Sequence, residues 1–195
     1  TVNYILKDYE KVYIGTNNGL CIYSISSNKL DKLYPELLNK KVQNILKQSD
    51  SRLWVATEGD GLYMINLKNG QLKNYRHNAA NPKSLRSNYI RSLALDVQNR
   101  LWIGTFNELN IYNEASDSFQ SYVSNPVQKG SLSQNSVRSI YLDSQGGMWV
   151  GTYFGGLNYY HPLKNRFGHI RRIPFQNSLN DNVVSCMVED KNQNI

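Results

Sequence analysis

Two arginines, Arg91 and Arg138, stand 47 residues apart, and Asn88 and Asn135 precede them at the same interval. Guanidinium and carboxamide groups in such a set could grip sugar hydroxyls, or the carboxylate or sulfate of an acidic glycan. Arginine suits a bidentate hold on those anions. The competing reading is architectural, with these polar groups bonding backbone within or between repeats. Gln43 and Ser185 take the place of arginine in other repeats.

Other reactive side chains make a weaker pattern. His77, His161 and His169 have no partner spacing that suits a metal or a catalytic triad. Asp96, Asp143 and Asp190 recur every 47 residues, so they read as equivalent turn residues in separate units rather than a catalytic pair. No glycine-rich phosphate loop leads into a helix, and no cofactor is expected. Cys21 and Cys186 fall on different strand types and in different repeats; buried free thiols are expected, with a bridge left open but not indicated. A basic cluster, Arg166, His169, Arg171 and Arg172, has an echo at Arg76-His77. Such charge attracts anions, yet no basic run marks a nucleic-acid patch, so a solvated face is the expectation.

The elements that must position these residues are repeats. Val12-Tyr-Ile-Gly-Thr16, Leu53-Trp-Val-Ala-Thr57, Leu101-Trp-Ile-Gly-Thr105 and Met148-Trp-Val-Gly-Thr152 align, with steps of 41, 48 and 47 between their aromatic second residues. Each is followed by a second run such as Gly61-Leu-Tyr-Met-Ile65, with Glu108 standing where the other repeats have glycine. Upstream lies a third element: Val42–Leu46, Ile90–Ala94, Val137–Tyr141 and Val184–Val188. The pairs Ser84-Leu85, Ser131-Leu132 and Ser178-Leu179 keep the same beat. A fourth run appears at Gln71–Tyr75, Ser118–Tyr122 and Arg166–Ile170.

These runs are short, rich in Val, Ile, Tyr and Trp, and bounded by Gly, Asn, Asp and Ser, which is the signature of strands. Nothing holds a helical period. Four short antiparallel strands in about 40–50 residues make a β-propeller blade, and strands apolar on both faces suit sheets packed between neighbours. The expected architecture is all-β: a partial β-propeller over residues 1–195, with approximate repeats 1–34, 35–82, 83–129, 130–176 and a truncated 177–195. In that register the next tryptophan falls one position past Ile195, so an excised piece of a longer array is expected. Trp54, Trp102 and Trp149 then read as blade-core residues rather than sugar platforms, and Thr57, Thr105 and Thr152 as bonds to neighbouring strands or turns.

The combined pattern resembles the two-component regulator propeller repeat. It appears most fully at Ser131-Leu-Ser-Gln-Asn135, Val137-Arg-Ser-Ile140, Asp143, Met148-Trp-Val-Gly-Thr152 and Gly155-Gly-Leu157. The resemblance implies a periplasmic sensor segment of a hybrid two-component histidine kinase anchored in the inner membrane. It implies sensing of glycan fragments, control of polysaccharide-utilisation genes through a phosphorelay, and dimerisation of the parent. The partner it implies is an oligosaccharide, acidic ones included. Alternatives from other classes are a propeller scaffold for protein interaction and a propeller glycosidase or lyase.

Composition bounds these readings. The 195 residues carry 22 Lys and Arg against 15 Asp and Glu, a formal +7. Two cysteines exclude a disulfide scaffold, and no apolar run reaches the roughly 18 residues a membrane helix needs. The chain begins at Thr1 without a leader, so any targeting segment is expected to have been removed or left out.

Overall fold

The structure, a computed structural model, describes residues 1–163 and 167–195, and for residues 31–33 the backbone. Four antiparallel sheets of four strands follow one another along the chain, each in sequential strand order. The first holds β1 (Val2–Asp8), β2 (Lys11–Thr16), β3 (Gly19–Ser24) and β4 (Lys29–Leu33). The second holds β5 (Val42–Ser49), β6 (Arg52–Thr57), β7 (Leu62–Asn66) and β8 (Leu72–Tyr75). The third holds β9 (Ile90–Leu95), β10 (Leu101–Thr105), β11 (Leu109–Asn113) and β12 (Ser118–Tyr122). The fourth holds β13 (Val137–Leu142), β14 (Met148–Thr152), β15 (Leu157–Tyr160) and β16 (Phe167–Ile170). Among the described residues the helical content is one 3-10 turn, Pro35–Leu37. These are propeller blades.

The first strands of successive blades pack on one another, β1 on β5, β5 on β9 and β9 on β13, so they form the inner side of the arc. Three apolar layers hold the blades together. Tyr13, Val42, Leu53 and Ile65 fill the first interface. Trp54, Ile90, Ile103 and Phe119 fill the second, and Trp102, Val137, Val150 and Phe167 the third. Sheets sandwiched on both faces explain why β6 and β10 are almost wholly buried. Trp54 and Trp102 are core residues, 0% and 1% exposed. Trp149 is half-buried and stacks on Tyr159, ring centroids 4.5 Å apart.

The recurring markers have local causes. In the third blade Asp96 Oδ1 accepts from the backbone N–H groups of Gln98 and Arg100, both at 2.9 Å, closing the first hairpin. Its Oδ2 accepts from Trp102 Nε1 at 2.9 Å, which orients the indole. Asp143 and Trp149 repeat the arrangement at 2.8 Å, while Gln48 serves Trp54 at 2.7 Å. The threonine hydroxyls donate across the second turn, Thr57 to Gly61 O and Thr152 to Gly156 O. Ser84 and Ser131 each accept a backbone N–H six residues upstream and staple the loop between blades. The following Leu85 and Leu132 enter the core.

Gly61 and Gly156 take positive φ, and a Cβ there would meet the carbonyl oxygens of Tyr75 and Ile170. Glu108 does not share that left-handed conformation, and its blade keeps the turn through Thr105 Oγ1 donating to Glu108 O at 2.8 Å.

The sequence expectation fails at Val184–Val188, which forms no strand. The segment still touches the fourth blade, with Val184 N donating to Thr152 O and Ser139 Oγ donating to Val184 O. Among the described residues no strand pairs with this segment, and backbone groups without a ladder partner do not make a strand. Arg166, expected within the last outer run, lies outside the described residues.

Candidate ligand-binding site

Inner strands β5, β9 and β13 each carry a polar residue at their second position: Gln43, Arg91 and Arg138. These three and Ser185, their counterpart in the next repeat, line one cavity of about 300 Å³ together with Glu58 and Tyr89. Repeat geometry explains the convergence, because equivalent positions of neighbouring blades come together where the inner strands pack. The sequence spacing of Arg91 and Arg138 is therefore a spatial cluster.

Each second-position residue meets the residue that follows the threonine of its own blade. Asn3 Nδ2 donates to Asn17 Oδ1 at 2.9 Å. Gln43 Nε2 donates to Glu58 Oε2. The Arg91 guanidinium lies 4.8 Å from the Phe106 ring centroid, and that of Arg138 lies 5.4 Å from Tyr153. The pairing position is held by backbone, with Glu58 N donating to Lys41 O, Phe106 N to Tyr89 O and Tyr153 N to Ser136 O. Blades three and four thus present stacked arginines where blades one and two present amide and carboxylate pairs.

The electrostatics favour an anion near the two arginines. Arg91 donates to Ser136 Oγ at 3.0 Å. Among the described residues neither arginine lies within ion-pair distance of a carboxylate. Partial burial, and then the nearby Arg138 charge, lower the pKa of Arg91 from the ordinary guanidinium value. Two cations lining one cavity repel each other and are stabilised by a bound anion. Glu58 is engaged elsewhere: Lys41 at 2.8 Å holds its carboxyl below the usual range, so it stays ionised.

Asn88 and Asn135 act differently from the arginines. Asn88 Oδ1 accepts from His77 N at 2.7 Å, and Asn135 Oδ1 accepts from Ser124 N at 2.6 Å. Asn88 O also accepts from Gly59 N and Gly61 N. Both side chains therefore fasten the loop between blades. Asn135 additionally lines an open groove that adjoins the arginines, whereas Asn88 lines neither space. The aromatic partners Phe106, Tyr153 and Phe154 were not singled out by the sequence reading. The available signal was a comparison across repeats of the residue after each threonine: Asn17, Glu58, Phe106 and Tyr153.

The remaining candidates are occupied or solvated. His77 and His169 ring nitrogens bond the carbonyl oxygens of Leu85 and Ser131, and Arg171 and Arg172 are exposed. Among the described residues no group of His, Cys, Asp or Glu could hold a metal ion. Cys21 and Cys186 are free thiols, Cys21 half-buried and Cys186 exposed, where burial of both was expected.

The sequence model of the two-component regulator propeller matches residues 84–107 and 131–154. Those two segments are similar to the two-component regulator propeller repeat. The matched segments run from each Ser-Leu staple, through the arginine, to the aromatic residues after the threonine, so these propeller repeats contain both arginine–aromatic pairs.

Over 109 residues, 54% of its length, the chain is 30% identical to Histidine kinase P4 from Formosa agariphila, of which the match covers 7%. Its fold is similar to an extracellular domain described as that of a hybrid two component system from B. thetaiotaomicron. The TM-score is 0.80 at 19% identity, covering 98% of this chain and 24% of that one. A second such domain from B. thetaiotaomicron gives 0.78 at 24% identity, covering 98% and 25%. The propeller repeats here thus span about a quarter of those solved structures and a small part of the kinase. Among the described residues no helix is long and apolar enough to cross a membrane.

Proposed function

We propose that this chain is part of the extracytoplasmic, periplasmic sensor propeller of a hybrid two-component histidine kinase anchored in the inner membrane. Its inner cavity receives an anionic glycan fragment, and binding drives a phosphorelay that controls polysaccharide-utilisation genes. The propeller segment itself binds and does not catalyse; the parent works as a dimer whose arrangement the ligand shifts. The observation that carries this reading is the convergence of Arg91 and Arg138 on one cavity without a carboxylate partner among the described residues. Support for the kinase context comes from the repeat match and the kinase relative.

The cavity lining disfavours a hydrolase or lyase. Among the described residues one carboxylate, Glu58, and no histidine line it, and Glu58 is paired with Lys41. Most glycosidases work through two opposed carboxyl groups.

The test is calorimetric titration of the full-length parent protein in detergent with a panel of uronate-bearing, sulfated and neutral oligosaccharides. Binding of at least one charged member, weakened tenfold or more by Arg91→Ala and by Arg138→Ala, is the expected result. Unchanged affinity in both variants, or preference for neutral sugars alone, overturns the site.

A further inference from the structure

The inner cavity opens onto a groove of about 850 Å³ between blades three and four, and both share Arg91 and Arg138 as lining residues. The groove's apolar wall is Phe106, Tyr153 and Phe154, which are 52%, 38% and 64% exposed. Tyr153 and Phe154 meet edge to face, centroids 4.3 Å apart, which braces both rings in position. Asn107, Gln134 and Asn135 supply amide groups beside them.

The other repeats serve as an internal control on what the fold requires. After the threonine they carry Asn17-Asn18 and Glu58-Gly59, where blade four has Tyr153-Phe154. The blade architecture is therefore satisfied by polar residues or glycine at these positions. Three exposed aromatic rings gathered in one groove have a use other than holding blades together. Exposed rings gathered into one patch and rimmed by polar groups mark a surface that a partner covers.

We infer that the site has two parts: the arginine cavity takes the charged sugar, and the groove takes an adjoining sugar ring laid on the Tyr153–Phe154 edge. The ligand is accordingly an oligosaccharide of at least two residues, with its anionic group at the arginines. This inference rests on the reading of the arginine cavity as an anionic-glycan site. The pyranose presents its C–H face to the rings while its hydroxyls reach the amides of Asn107 and Gln134. Arg91 and Arg138 bridge the two parts, because both line the cavity and the groove and each guanidinium lies over an aromatic ring of its own blade. Glu108, where other repeats have glycine, adds the one carboxylate of the groove lining and lies 3.6 Å from Arg86. Its side chain is largely buried and paired with that arginine, so it leaves the groove's charge to Arg91 and Arg138.

The experiment compares uronate- and sulfate-bearing monosaccharides with their di- to tetrasaccharides on the full-length parent protein. Titrations use the wild type, Phe154→Ala and Arg138→Ala, each checked for an unchanged melting temperature. The wild type is expected to bind disaccharides and longer fragments at least tenfold more tightly than the charged monosaccharide. Phe154→Ala should remove most of that gain while leaving the monosaccharide affinity as it was. Arg138→Ala should weaken all of them. If Arg138→Ala weakens binding but length brings no gain, or Phe154→Ala leaves the gain intact, the two-part site is wrong and the arginine cavity stands. If no charged sugar binds, both readings fall.

Discussion

The guanidinium of Arg91 sits 4.8 Å over the ring of Phe106, and the same two repeat positions place Arg138 5.4 Å over Tyr153. The ring holds the guanidinium beside the cavity that both arginines line. A cation over an aromatic face at a partly exposed site contributes about 0.5–1 kcal/mol. A double-mutant cycle of Arg91→Ala and Phe106→Ala, followed by chemical denaturation, should return a coupling of about that size. A coupling of zero would show that the two side chains are merely neighbours.

Indole and turn are joined in each complete later blade, and burial differs between them. Asp96 has a 3% exposed side chain and holds both the hairpin and Trp102 Nε1. Trp102→Phe should cost about 2–4 kcal/mol, from lost ring volume and an acceptor deprived of its donor. Trp149→Phe removes the same bond on a half-buried ring and should cost less than half as much. Equal losses in thermal melts would sink this account.

Gly104 lies under the next blade. A Cβ there would come within 2.6 Å of Val137 Cγ1, and Gly15 stands in the same relation to Val42 at 2.7 Å. Ala56 fills the equivalent place in the second blade, where the following inner strand opens with Ile90. Gly104→Ala should therefore destabilise by about 1–3 kcal/mol through overpacking, whereas Ala56→Gly should cost about 1 kcal/mol or less. The comparison is read from urea midpoints.

Acid should loosen the outer junction of blades two and three. Asp117 Oδ1 accepts from Tyr75 and Tyr112 hydroxyls, each at 2.7 Å, and Lys73 pairs with Oδ2. Burial acts to raise the Asp117 pKa, but these donors outweigh it and hold the value below the ordinary 3.8. A depressed carboxylate pKa stabilises the fold fully above the unfolded value, and that stability is lost as pH falls through the folded value. Melting between pH 6 and pH 2 should show the wild type losing more stability below about pH 4 than Asp117→Asn. Parallel curves for the two proteins would contradict the assignment.

Much of the fold was legible in the chain because each blade repeats one solution. The Trp, Asp, Thr and Ser-Leu markers each satisfy a local need, whether a hairpin turn, an indole partner or a loop staple, and local needs leave a fixed spacing. Arg91 and Arg138 were visible for the same reason. Asn88 and Asn135 were equally visible, yet their carboxamides turned out to close backbone loops, since a spacing cannot tell which way a side chain is used.

By itself the sequence determined the all-β blade, its strand order and the equivalence of Arg91 with Arg138. Tertiary structure decided which equivalents meet. Packing of inner strands brings residues 47 positions apart into one cavity, and it alone sets each arginine over the aromatic ring of its own blade. It also decided that Val184–Val188 forms no strand, because pairing depends on a neighbour and not on the pattern of the run itself. Backbone periodicity is a local property; a binding surface is made of contacts between units, which no single repeat contains.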